Sequence, residues 1–113
     1  MLIKNKTKKT LLSKNAKICI SIISKSFGLM FSIRHKPLIF VFREEKIITL
    51  HMLFVFCPID VLFLDKNKKV VEIKENFMPF TFYTPKNKAK YVIELPNGII
   101  KKSRTKLGDN ISF

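Results

Sequence analysis

Glycine is scarce in this chain. Only Gly28, Gly98 and Gly108 occur in 113 residues, each isolated. Phosphate loops and dinucleotide-binding turns need glycines within a few residues of one another, so that backbone amides can approach a phosphate; both are excluded. Tryptophan is absent, and the two cysteines, Cys19 and Cys57, lie far apart. Neither they nor His35 and His51 show the short ligand spacing of a metal motif, so no metal and no cofactor is expected. No serine stands in a nucleophile elbow, which leaves a hydrolytic triad without support.

Acidic residues are the second shortage. Eight Asp and Glu face 22 Lys and Arg, a formal net charge of +14, and the first 43 residues contain ten basic side chains and no acid. Such a field attracts nucleic acid and acidic membrane surfaces and also keeps a protein soluble. Arginine is itself rare: Arg34, Arg43 and Arg104 stand against nineteen lysines. Arginine supplies the planar, bidentate contacts that read bases and clamp phosphates, so the lysine surplus points to non-specific charge and a solvated surface.

What the chain has in plenty is apolar bulk: 47% of its residues are hydrophobic and eleven are Phe, which excludes a disordered chain. The richest stretch is Leu50–Asp65. A hydropathy window over 47–64 is long enough to span a bilayer, but His51, Pro58 and Asp60 fall near its middle, where an Asp alone costs about 2.5–3.5 kcal/mol. The stretch reads as two buried strands broken at Cys57-Pro58, with no membrane span. Cys19 and Cys57 are expected as reduced, buried small hydrophobes, a Cys19–Cys57 disulfide being the other possibility. The basic start has no uninterrupted apolar run behind it, because Lys14, Asn15 and Lys17 intervene. A cytoplasmic location is the expectation.

Strand signals dominate the rest. Runs of β-branched and aromatic residues recur between Lys/Asn/Pro/Gly clusters, the pattern of a mainly β protein. We expect one domain over 1–113, a β-sandwich or barrel, with one short helix near residues 21–28, capped by Ser21 or Ser24 and ended by Gly28. Ile18, Ile20 and Ile22 alternate and should face the core. Leu38–Phe42 reads as a strand ended by a turn at 43–46, and Ile47–Phe56 as the returning strand. Ile59–Leu64 and Lys69–Lys74 form a hairpin around Lys66-Asn67-Lys68. The stretch 77–83, with Pro79 inside it, belongs at a sheet edge. Asn97-Gly98 suggests a second hairpin, between Tyr91–Leu95 and Ile99–Lys102.

Asp60 is the most specific polar anomaly, since a carboxylate in an apolar wall costs several kcal/mol unless it is paired or protonated. It either locks a strand corner by accepting backbone N–H bonds or acts as a general acid or base beside His51, Lys25 or Arg34. Sealing both oxygens with backbone N–H groups would remove the second role. Glu94, on the face opposite Ile93 and Leu95, is expected to meet solvent or a lysine. Residues 80–91 interleave aromatics with lysines, as a single-strand nucleic-acid surface would, though Phe77, Phe80 and Phe82 are equally suited to a core.

Several ordered segments resemble one family. Gly28-Leu29-Met30-Phe31, the stretch from Met52 through Pro58-Ile59-Asp60-Val61 to Phe63-Leu64-Asp65, Val70-Val71-Glu72-Ile73, Ala89 through Leu95, and Leu107-Gly108-Asp109 are similar to the domain of unknown function 192 family. The resemblance implies a small, mainly β domain and brings no activity, substrate or cofactor with it. It also implies that Gly28-Leu29-Met30, Met52 and the Pro58-Ile59-Asp60 corner form a recurring motif. Lys25 and Ser32 stand where that pattern favours Arg, and Lys68 where it favours a turn glycine. Any left-handed conformation in that turn is better tolerated by Asn67 than by Lys68.

The expectation is a domain that binds an unknown small ligand or protein partner, not an enzyme. The candidate ligand-binding residues are Asp60, His51, Met52, Lys25, Met30 and Arg34. An enzyme using Asp60 and a non-specific nucleic-acid-binding basic protein are the alternatives.

Overall fold

The computed structural model describes residues 1–20, 29–30, 37–51 and 57–113. Eleven strands and one helical turn follow in order among them. They are β1 (Ile3–Asn5), β2 (Thr10–Ser13), β3 (Lys17–Ile20), β4 (Leu29–Met30), β5 (Leu38–Lys46), β6 (Leu50–His51), β7 (Ile59–Leu64), β8 (Val70–Phe77), β9 (Phe82–Tyr83), β10 (Ala89–Pro96), α1 (Ile99–Lys102) and β11 (Ile111–Ser112). The expected mainly β fold is what forms. The helix expected near 21–28 lies outside the described residues.

The central sheet has the order β3-β5-β10-β7-β8, antiparallel throughout except for the parallel β3–β5 pair. Both of its faces are covered. On one, Phe40, Phe42, Val61, Phe63, Phe77 and Val92 pack with Leu50 of β6 and Tyr83 of β9. These last two belong to a small sheet of order β4-β6-β9. On the other face, Ile39, Leu62, Leu64, Ile93 and Leu95 pack with Ile3, Leu12 and Ile111 of the β11-β1-β2 sheet and with Ile100 of α1. A strand buried on both sides needs no polar alternation, which is why Val61-Leu62-Phe63-Leu64 is an unbroken apolar run. No helix among the described residues is long and apolar enough to cross a membrane.

Several local expectations are corrected. Residues 43–46 continue β5 instead of turning, because Lys46 still pairs with Ala89 across a register shift in β10. Ile18, expected in the core, is 40% exposed on the edge strand β3. Ile47–Thr49 precede the short β6 without joining a strand, and β8 stops at Phe77, so 78–81 is a turn and not a strand. Cys57, expected buried, is exposed and free. Lys68 rather than Asn67 takes the left-handed conformation, at φ 62°. Asp65 Oδ1 accepts the Asn67 and Lys69 amides and shapes that turn. The Lys68 ammonium lies 3.9 Å from the centroid of the Phe113 ring and donates to the Phe113 carbonyl at 3.1 Å. That offsets a backbone strain of about 1–2 kcal/mol.

Ile99–Lys102 is a helical turn, not the second arm of a hairpin. Of Asn97 and Gly98, only Gly98 adopts the left-handed conformation, at φ 96°, and the chain turns into α1 because its free amides find an acceptor outside the segment.

Candidate functional site

That acceptor is Asp60. The β7–β8 ladder carries a register shift between Ile59 and Val61, opposite Asn76, which sits at φ 51°. A bulged residue loses its ladder bond, and Asp60 Oδ1 accepts the Asn76 amide at 3.0 Å instead. The same oxygen accepts from Asn97 Nδ2 at 3.0 Å. Oδ2 accepts the Gly98 amide at 2.9 Å and the Ile100 amide at 3.1 Å, capping α1 from another strand. With 1% of its surface exposed and both oxygens held by backbone N–H groups, Asp60 is a corner lock between the β7–β8 bulge and α1. Each of its oxygens thus accepts two hydrogen bonds.

Two further carboxylates are engaged in the same way. Glu72 accepts the Tyr83 hydroxyl, the Lys86 amide at 2.8 Å and both the amide and Nδ2 of Asn87 at 3.0 Å. Burial works to raise its pKa, but these bonds outweigh it and hold the carboxyl below its usual range. Burial and the neighbouring Glu72 push the Tyr83 phenol up to about 12. Asp109 accepts from Asn5 Nδ2 at 2.9 Å, from the Lys106 amide and from Lys8, tying β1 to the chain's end. Despite burial these partners lower its pKa.

Glu94 is the exception. Pairing β10 with both β5 and β7 places it opposite Leu38 and Val61 in the middle of the central sheet. Alternation puts it on the face of Val92, the face against which Leu50 of β6 and Tyr83 of β9 pack. It is not solvent-facing: 7% of its surface is exposed, and Oε2 has no hydrogen-bond partner among the described residues. Burial pushes its pKa well above the usual carboxylate range. Its signal in the sequence is a single acid inside the apolar run Tyr91–Leu95. On a sheet covered on both faces, that acid has no wet side to occupy.

The other candidates are brought together only in part. Met30 and His51 are register partners in the parallel β4–β6 pair, and His51 is also paired with Phe82 of β9. Met52, Lys25 and Arg34 lie outside the described residues. Asp60 is buried with Leu62 and Leu64 on the opposite face from Val61 and Phe63, so it does not share a face with Glu94. No group of three or more His, Cys, Asp or Glu that could hold a metal occurs among the described residues.

The fold and its engaged carboxylates define a small β domain with a buried acid at its centre whose Oε2 has no partner among the described residues. The model of the DUF192 family, described as "Uncharacterized ACR", matches residues 3–113, and the chain belongs to that family. Relatives named UPF0127 protein are found in Thermococcus sibiricus (37% identical, 96% of this chain and 72% of the relative) and in Pyrococcus horikoshii (33%, 99% and 98%). Two solved structures share the fold. One, from Sinorhizobium meliloti and provisionally named a transcription regulator, is 20% identical with a TM-score of 0.80, covering 98% of this chain and 89% of its own. The other, a protein of unknown function from Novosphingobium aromaticivorans, is 19% identical with a TM-score of 0.77, covering 99% and 82%.

Proposed function

We propose that this protein binds a small ligand between its central sheet and the β4-β6-β9 sheet, and that Glu94 is the group that recognises it. The buried Oε2 of Glu94, which has no hydrogen-bond partner among the described residues, carries this reading. Leaving such an atom unsatisfied costs about 1–3 kcal/mol, and apolar sites with one or two placed polar groups are where ligands are held. A ligand that fits is mainly apolar, with an N–H or ammonium group to meet the carboxyl. Met30 and His51 stand in β4 and β6 of the sheet whose Leu50 and Tyr83 pack over the Glu94 face, while Met52, Lys25 and Arg34 lie outside the described residues. Asp60 holds the scaffold.

Thermal unfolding of wild type and Glu94→Gln against a panel of small apolar amines and amides tests the reading. A panel member that raises the wild-type melting temperature and leaves the variant unmoved supports it. A ligand that shifts both equally would place recognition elsewhere. The provisional name of the Sinorhizobium protein raises nucleic-acid binding as a second reading. The observation in its favour is that Phe80 and Phe82 are exposed and are followed in sequence by Lys86 and Lys88. Such binding would weaken steeply with added salt.

A further inference from the structure

Between α1, β8 and the segment that leads out of α1 lies an open groove of about 670 Å³, a size within the range of small-ligand sites. Its floor is aliphatic. Ile100 is buried and Ile73 partly buried in the core on the side of the central sheet away from Glu94, and Leu107 stands beside them with 65% of its surface exposed. Lys101, Arg104 and Lys106 line the same groove, against a single acid, Glu75. All three cations are exposed, and none has a side-chain hydrogen bond or ion pair among the described residues.

Arg104 is held there in a disfavoured conformation. It follows the last turn of α1, where the Arg104 amide reaches back to the Lys101 carbonyl and the Thr105 amide to the Ile100 carbonyl, each at 3.1 Å. That place calls for a left-handed residue, which glycine fills without steric penalty; here Arg104 fills it at φ 59°. At Lys68 the same conformation is offset by the Phe113 ring, whereas no hydrogen bond, ion pair or ring contact of the Arg104 side chain among the described residues offsets it. Such strain recurs where a side chain serves a ligand.

We propose that this groove binds a free aliphatic carboxylate, with Arg104 and its lysine neighbours on the carboxylate and the alkyl chain along Ile73, Ile100 and Leu107. Charge complementarity selects the headgroup, since a guanidinium meets a carboxylate with two parallel N–H bonds. The lining selects the body. It contains no aromatic ring on which a base could stack, and Glu75 repels the further charges of a polyphosphate or a nucleic-acid strand. The ligand is opposite in sign to the one proposed for Glu94, and the two sites lie on opposite faces of the central sheet.

Isothermal titration calorimetry of the full chain with octanoate tests the proposal, with octanol and octylammonium as the uncharged and cationic counterparts. The wild type should bind octanoate at a single site and both counterparts roughly tenfold or more weakly. Arg104→Gly supplies the residue that the left-handed position favours, so it should melt no lower than wild type while losing roughly tenfold or more of the affinity. Leu107→Ser should lose a similar factor, and Lys88→Gln, which removes one charge outside the groove, should bind as wild type does. Four results would overturn the proposal. They are no heat with millimolar octanoate, octanol or octylammonium binding as tightly, Arg104→Gly or Leu107→Ser keeping the wild-type affinity, and Lys88→Gln losing as much as Arg104→Gly, which would show attraction by net charge alone.

Discussion

Asp60 Oδ2 accepts the Gly98 amide at 2.9 Å across 38 residues of sequence. Through that bond and the one from Ile100, a side chain of β7 supplies the cap that α1 lacks locally. The Asp60 Oδ1 bond to the Asn76 amide joins the β7–β8 bulge to the same point. One carboxylate thus decides how three segments meet.

Asp60→Asn keeps the shape and halves the acceptors, since an amide nitrogen cannot accept from Gly98 and Ile100. Two buried donors are left facing a third, and chemical denaturation should show a loss of about 2–4 kcal/mol. A loss under 1 kcal/mol would mean that the lock is dispensable.

The pattern of legibility follows from this geometry. The β7–β8 hairpin was readable because Asp65, Asn67 and the flanking apolar runs are local signals. Asp60 stood out as a charge in an apolar run, but its partners come from Asn76, Asn97, Gly98 and Ile100, which no spacing rule connects to it. The same distant cap is why Asn97-Gly98 reads as a hairpin and folds into α1. Alternation alone turns Glu94 towards solvent because it assumes one wet face, and β10 is covered on both. Local preference favours Asn67 over Lys68 for the left-handed position because the compensation for Lys68, the Phe113 ring, lies 45 residues away.

Stability should depend on pH in two opposed ways. Glu72 and Asp109 have pKa values lowered by folding, so their contribution is present above the unfolded values of 4.5 and 3.8 and is lost as pH falls through the folded ones. Glu94 is raised, so its folded form is undisturbed below 4.5 and loses stability as pH climbs towards the raised value. Denaturation midpoints measured from pH 3 to pH 8 should therefore fall at the acid end. Glu94→Gln should remove the decline on the upper side while leaving the acid limb in place.

Tyr83 offers a spectroscopic check of the β8–β9 anchor. Absorbance titration should find one phenol ionising at about 12, and Glu72→Gln should bring it part of the way back, since burial as well as the carboxylate raises it. A phenol unmoved by the substitution would place the Glu72–Tyr83 contact in doubt.

Lys68 and Phe113 should be coupled. Lys68→Met and Phe113→Ala each remove the cation–π contact, and the double variant should cost less than the sum by about 0.5–1 kcal/mol. Strict additivity would show that the ammonium and ring do not interact in solution.

The central claim is that Glu94 is kept for recognition at the expense of stability. Thermal unfolding of Glu94→Leu beside wild type at pH 7, alone and with the amine and amide panel, tests it most directly. The account predicts that the unliganded variant is more stable by about 1–3 kcal/mol, because a buried acid whose Oε2 has no partner among the described residues is replaced by an apolar side chain. It also predicts that a compound stabilising the wild type has no effect on the variant. A variant less stable than wild type, together with no compound that shifts the wild type, would contradict it.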